Sequence, residues 1–123
     1  MRVIAYDPHT DPLYAQEHQY EYTSFDTLLQ VADIITLHSP YTHENHHLLN
    51  TRAFGMMKKG VCIINTARGE LIDTEALLNA INNGTVRGAA LDVLENIGLA
   101  DAIPTCIEAL TPFGCKLSPE GRL

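Results

Sequence analysis

The chain has 123 residues, 46% hydrophobic and 19% charged, a globular composition with room for one modest core. Eight Lys and Arg stand against fifteen Asp and Glu, and the resulting net charge of −7 repels phosphate backbones and anionic membrane surfaces. No apolar run reaches the ~18 residues of a membrane span and no basic, apolar leader opens the sequence, so nucleic acid, membrane and secretion are not expected.

Arg2–Tyr6 is short, apolar and rich in β-branched residues, and it stops at Asp7-Pro8, which predicts a buried strand. Asp11 then caps a short helix with Pro12 in its first turn. Tyr20–Thr23 has the make-up of a further short strand. Ser24 caps a helix whose Phe25, Leu28, Leu29 and Ala32 form one apolar stripe. Ile34–Leu37 is a second buried strand. A helix is predicted over Thr51–Met57, with Lys58 and Lys59 at its negative end and Gly60 stopping it. Val61–Asn65 is a third strand. Asp73 caps a helix carrying Leu77, Ala80 and Ile81 and ended by Gly84. Val86–Val93 is a fourth strong strand, and Ile107–Leu110 has the composition of one more.

Strands alternating with helices over short loops predict βαβ units, an α/β fold with a parallel sheet. The strands are apolar at consecutive positions, as expected of a sheet covered on both faces. The three cysteines, Cys62, Cys106 and Cys115, form no CxxC pair; Cys62 reads as a buried, inert thiol, and a reduced, cytoplasmic setting is expected.

Ligands of such sheets bind where strands end at their carboxyl side, so the residues just after each strand carry the functional reading. Asp7 can accept both hydrogen bonds of a ribose diol, or merely close an Asp-Pro turn. Arg68, in Asn65-Thr66-Ala67-Arg68-Gly69, can hold a carboxylate through two parallel hydrogen bonds, or lie on the surface beside a glycine turn. Asp92 ends the strand GAALDV, and an acid buried at that depth needs a partner such as an amide or a helix N-terminus. His38 follows the second strand; a ring there is usually fixed by a neighbouring backbone group. His43, His46 and His47 lie in HENHH, but no carboxylate or cysteine set completes a metal site, and no metal is expected.

The blocks MRVIAYDP, ADIITLHSPYTHENHHLLN, MKKGVCIINTARGELIDTEAL and GAALDVLEN occur in that order, and together they resemble the D-2-hydroxyacid dehydrogenase family. Within it, HSPYTHENHHLLN and DVLEN are most similar to the fermentative D-lactate dehydrogenases. The resemblance covers residues 1–96 as a partial NAD-binding domain and leaves 97–123 as a divergent C-terminal segment. It implies a Rossmann-type doubly wound parallel sheet and hydride transfer between NADH and a 2-keto acid. It implies that Asp7 binds the adenosine ribose, that Ser39, Pro40 and Asn45 line the cofactor, and that Thr66, Ala67 and Arg68 line the nicotinamide site. Arg68 would also bind and orient the substrate carboxylate, as the one catalytic residue carried over, and Asp92 would contact the nicotinamide end.

Departures from the family pattern are equally specific. No G-x-G occurs in the 123 residues, so the first strand and the glycine-rich pyrophosphate grip of a dinucleotide fold are not among them. The family's catalytic Glu position holds Ile97, Glu95 does not replace it, and the position of its proton-donating His holds Phe113. These substitutions predict a fragment that is inactive alone and binds NAD weakly or not at all. The absence of that first strand also predicts unpaired edges on Arg2–Tyr6 and Ile34–Leu37 that are prone to self-association. The alternative is a non-catalytic α/β nucleotide-binding or interaction module. A phosphoacceptor receiver domain fits worse, because its central-strand acid would fall at His38.

Overall fold

The computed structural model describes residues 1–92. Its elements are β1 (Ile4–Ala5), α1 (Pro12–Glu17), β2 (Glu21–Tyr22), α2 (Phe25–Val31), β3 (Ile34–Leu37), α3 (Thr51–Met56), β4 (Val61–Asn65), α4 (Thr74–Asn82) and β5 (Val86–Leu91). Short 3-10 turns lie at His43–Asn45 and Gly69–Leu71. The predicted strand at Ile107–Leu110, the predicted strand end at Val93 and the segment 97–123 lie outside the described residues.

Helix starts follow the caps. Asp11 accepts from the backbone N–H of Leu13 and Tyr14, Ser24 from Thr27 and Asp73 from Ala76, each satisfying donors that a first turn leaves orphaned. Gly84, just past the end of α4, has φ +78°, and Gly60 has φ +83°, left-handed positions that favour glycine. Gly60 lies in the turn into β4 and does not stop α3 as predicted, because the helix is capped at Met57. Lys58 and Lys59 do not cap α3. Lys58 reaches Asp33 at 2.6 Å and Lys59 the carbonyl of Asn83 at 3.3 Å, because α3 has already ended at Met57.

All strand pairing is parallel, in two sheets of order β1-β2 and β3-β4-β5. The predicted strands Arg2–Tyr6 and Tyr20–Thr23 are thus reduced to two paired residues each. β5 carries a bulge: Val61 faces Val86 and Cys62 faces Gly88, which leaves Arg87 as the extra residue.

The core lies on one side of the three-stranded sheet. Ile35 and Leu37, Val61 and Ile63, and Val86, Ala89 and Leu91 pack there with Leu29 of α2, Phe54 of α3 and Leu77 of α4. Strand order advances in one direction from β3 to β5, so right-handed crossovers bring α3 and α4 to the same face, where α2 also packs through Leu29. Burying one such Leu or Ile contributes about 1.5–3 kcal/mol. The expectation of a sheet covered on both faces is not met by the described residues. Ile34, Thr36 and Ala90 are exposed on the opposite side, and Cys62 and Ile64 are half-buried there. The Cys62 thiol is therefore not the sealed group expected. It lies 3.4 Å from an Arg87 guanidinium nitrogen, a contact that raises the Arg87 pKa above its usual value.

Candidate functional site

The carboxyl ends of β3 and β4 open into one cavity of about 570 Å³, lined by His38, Ser39, Pro40, Tyr41, Ala67 and Arg68. Two chain segments meet there because three backbone hydrogen bonds zip them together. Leu49, fully buried, donates its N–H to Leu71 and accepts from Asp73, and His47 donates its N–H to Glu70. The segment before α3 is thereby held alongside the turn after β4.

That turn is built on Asn65, the last residue of β4 and fully buried. Its Oδ1 accepts from the N–H of Ala67 at 3.0 Å, and its Nδ2 donates to the carbonyl of Arg68 at 2.8 Å. Its own carbonyl accepts from Asp92 at 2.9 Å. One side chain thus fixes the backbone of Thr66-Ala67-Arg68 and anchors it to the end of β5. Asn65 is a functional-site residue that the strand-end pattern did not single out. An Asn that closes an apolar strand just before a Gly turn was the available signal, since its amide can mimic a backbone turn.

Arg68 projects into solvent, with Nη1 donating to the carbonyl of Ala67 at 2.8 Å. No carboxylate pairs with it among the described residues, so its guanidinium keeps donors for an anionic ligand. Ser39 and Pro40 line the same cavity, Ala67 is half-buried against the core, and Thr66 is exposed.

Asn45 is used structurally. Its side-chain oxygen accepts from Thr42 N–H at 2.7 Å, and its Nδ2 donates to the Pro40 carbonyl at 2.8 Å. It therefore shapes the Ser39-Pro40 stretch from behind. His38 is held by a side chain, not by the backbone group expected: its Nε2 lies 2.9 Å from the hydroxyl of Thr36. Tyr41, another cavity residue with no assigned role, hydrogen-bonds His46 Nδ1 at 3.1 Å, and His46 stacks on His47 with ring centroids 3.9 Å apart. Among the described residues no three His, Cys, Asp or Glu side chains converge as a metal site.

Asp92 is exposed, which corrects the reading of a buried acid. Strand side chains alternate; Leu91 points into the core, so Asp92 turns to the open face. It nevertheless sits at the carboxyl end of β5, next to the Arg68 turn. Asp7 follows β1 in the two-stranded sheet, exposed, with Oδ1 accepting from His9 N–H at 2.7 Å. This contact closes the Asp-Pro turn and leaves Oδ2 with no hydrogen bond among the described residues. Ile97, Phe113 and Glu95, and with them Cys106 and Cys115, lie outside the described residues.

A family profile described as the NAD binding domain of D-isomer specific 2-hydroxyacid dehydrogenases matches residues 1–109, and the chain belongs to that family. It is 46% identical over 96 residues to a D-lactate dehydrogenase of Escherichia coli, covering 78% of this chain and 29% of that protein. It is 48% identical over 101 residues to a D-lactate/D-glycerate dehydrogenase of Pediococcus acidilactici, covering 81% and 30%. Among solved structures, the Aquifex aeolicus D-lactate dehydrogenase complexed with NAD and lactic acid superposes with a TM-score of 0.79 at 36% identity, over 94% of this chain and 37% of that one. The apo D-lactate dehydrogenase of Escherichia coli gives a TM-score of 0.73 at 46% identity, over 78% and 30%. The fold is thus Rossmann-like α/β, NAD is the family's cofactor, and the chain spans about 30% of the length of the curated relatives it matches. No described helix is long and apolar enough to cross a membrane.

Proposed function

We propose that these residues form the part of a D-lactate-type 2-hydroxyacid dehydrogenase that faces the two ends of NAD, with Arg68 as the residue that receives the carboxylate of a 2-keto acid. The observation that carries this reading is the cavity in which Ser39 and Pro40, after β3, meet Ala67 and Arg68, after β4. The residues fit the cofactor at two points and lack a third. Asp7 offers a carboxylate oxygen to a ribose diol, and Thr66, Ala67, Arg68 and Asp92 gather at one edge of the sheet for the nicotinamide end. A pyrophosphate has no glycine loop to receive it in these 123 residues.

Bound NADH supplies the hydride. The chain's own contribution is orientation: the planar Arg68 fork fixes a carboxylate, and Asn65 holds the backbone from which that fork projects. No proton donor is assigned, since Ile97 and Phe113 occupy the family's Glu and His positions. Loss of general acid help alone typically costs 10²–10⁴-fold. The chain on its own is therefore read as inactive, in a cytoplasmic setting, with residues 1–96 as the working unit and 97–123 as a divergent segment. Its unpaired strand edges favour self-association. A stopped assay of pyruvate reduction with NADH should give no rate above buffer. A clear rate that disappears in Arg68→Ala would show that another group, His38 being nearest to hand, donates the proton.

The second reading is a non-catalytic α/β nucleotide-binding or interaction module. The exposed side of the β3-β4-β5 sheet favours it, because an apolar surface of that kind is available to a partner.

A further inference from the structure

Tyr41 is fixed from several sides and yet left uncovered in the cavity. Thr42 caps the turn His43–Asn45, and the Asn45 side chain brackets Tyr41. Its Oδ1 accepts from the Thr42 N–H at 2.7 Å, and its Nδ2 donates to the Pro40 carbonyl at 2.8 Å. Both backbone neighbours of Tyr41 are thus tied to one side chain. The ring is tied at its tip, where the hydroxyl lies 3.1 Å from His46 Nδ1. The His43 and His46 rings flank it at steep angles, with centroids 6.4 Å and 5.9 Å away.

His46 is itself held. It stacks on His47 with an interplanar angle of 21°. His47 takes a left-handed backbone, φ 50°, uncommon for a residue other than glycine. Its N–H donates to the Glu70 carbonyl at 2.9 Å, and its Nδ1 lies 3.9 Å from the carboxylate of Asp73, the residue that caps α4. The Tyr41 ring is therefore anchored, through two imidazoles, to the stretch that leads from Arg68 into α4. Such anchoring would suit a core aromatic, yet Tyr41 is 37% exposed and lines the cavity. An aromatic side chain held still and left open loses little freedom when a flat ring packs on it.

We infer that Tyr41 determines the specificity of this cavity, which takes a planar aromatic ring carrying an anionic group. The ring packs on Tyr41, and the anion meets Arg68 in the same cavity. His46 is a positioning residue that acts through Tyr41. The anion half rests on the reading of Arg68 given above; the ring half does not. Pro40 and Ala67 add apolar surface beside the ring, and the volume of about 570 Å³ is that of a small-molecule site. Two sources share this chemistry. One is a nucleotide, whose base is the ring and whose phosphate is the anion. The other is a 2-keto acid with an aromatic side chain. Pyruvate has the anion without the ring, so it is the weaker of the two acids for this cavity.

The test is an NMR titration of the full 123-residue chain with two pairs of probes: phenylpyruvate against pyruvate, and adenosine monophosphate against ribose 5-phosphate. Each pair shares its anion and differs in the ring. In at least one pair the ring-bearing probe should bind tighter by about threefold or more, with its ring protons shifted by the Tyr41 ring current. The pair that shows the preference identifies the source. Tyr41→Ala should bring the preference to about one. His46→Ala should reduce both the preference and the shift, and His46→Gln, which keeps a partner for the hydroxyl, should restore part of both; no loss in His46→Ala would overturn the role given to His46. A preference below about threefold in both pairs, or one that survives Tyr41→Ala, would overturn the inference. Arg68→Ala separates the two halves. Unchanged affinities in Arg68→Ala, with the preference lost in Tyr41→Ala, sink the carboxylate reading of Arg68 and leave the ring site standing. Weakening of all four probes in Arg68→Ala, with no ring preference in the chain, does the reverse.

Discussion

The segment from β1 to β2 and the segment from α2 to β5 are both apolar in sequence, yet only one has a core. In the second, Leu29, Leu49, Ile63 and Leu71 are fully buried between helices and sheet. In the first, Ala15 is the one buried residue, while Val3, Tyr6, Leu13 and Tyr14 face solvent. The first segment is held mainly by short-range polar and ring contacts: Arg2 to Glu21 at 2.8 Å, Tyr14 stacked on His18, and Tyr20 against Tyr22. An exposed pair such as Arg2–Glu21 contributes little. Strand composition alone does not make a core; a strand must also have a layer to pack against, and β1 has only half of one.

The largest effect should come from the packed segment. Ile63→Ala empties the centre of β4 and should cost about 2–5 kcal/mol in urea unfolding. The matching change Val3→Ala in the open segment should cost less than about 0.5 kcal/mol. Equal losses would show that β1 is buried in solution and would erase the contrast.

Asn65→Leu should follow, at about 1–3 kcal/mol, because it leaves the Ala67 N–H and the Arg68 carbonyl without their partner at a buried site. Unlike Ile63→Ala, it should also shift the backbone amide resonances of Ala67 and Arg68 while leaving those of α2 in place.

The smallest effect belongs to the open segment. Tyr20 is pushed up from 10.0 to about 12, first by its hydrogen bond to Tyr22 and then by desolvation. The folded form therefore keeps this proton longer than the unfolded one. The resulting stabilisation is complete below pH 10 and is lost as pH rises through about 12. An ultraviolet titration of the tyrosines should show one late phenolate, absent in Tyr20→Phe.

The sequence was most informative where a single local rule decides the outcome. β3 and β4 have the predicted bounds, and Asp11, Ser24 and Asp73 cap as their residue types require. The cavity likewise brings together Ser39, Pro40, Ala67 and Arg68, all singled out beforehand. What went unread depends on partners distant in the chain. β1 shrinks to two residues because its partner among the described residues is the equally short β2, and Asp92 is exposed because side-chain parity is fixed by Leu91 in the core. The role of Asn65 emerges only once the turn closes over it.

The most direct test of the account is calorimetric titration of the chain with NADH and with NADPH. A site that keeps Asp7 and the Arg68 turn but has no glycine loop should bind NADH only near millimolar, about −4 kcal/mol, and NADPH more weakly still. Micromolar binding of NADH, or a preference for NADPH, would contradict it.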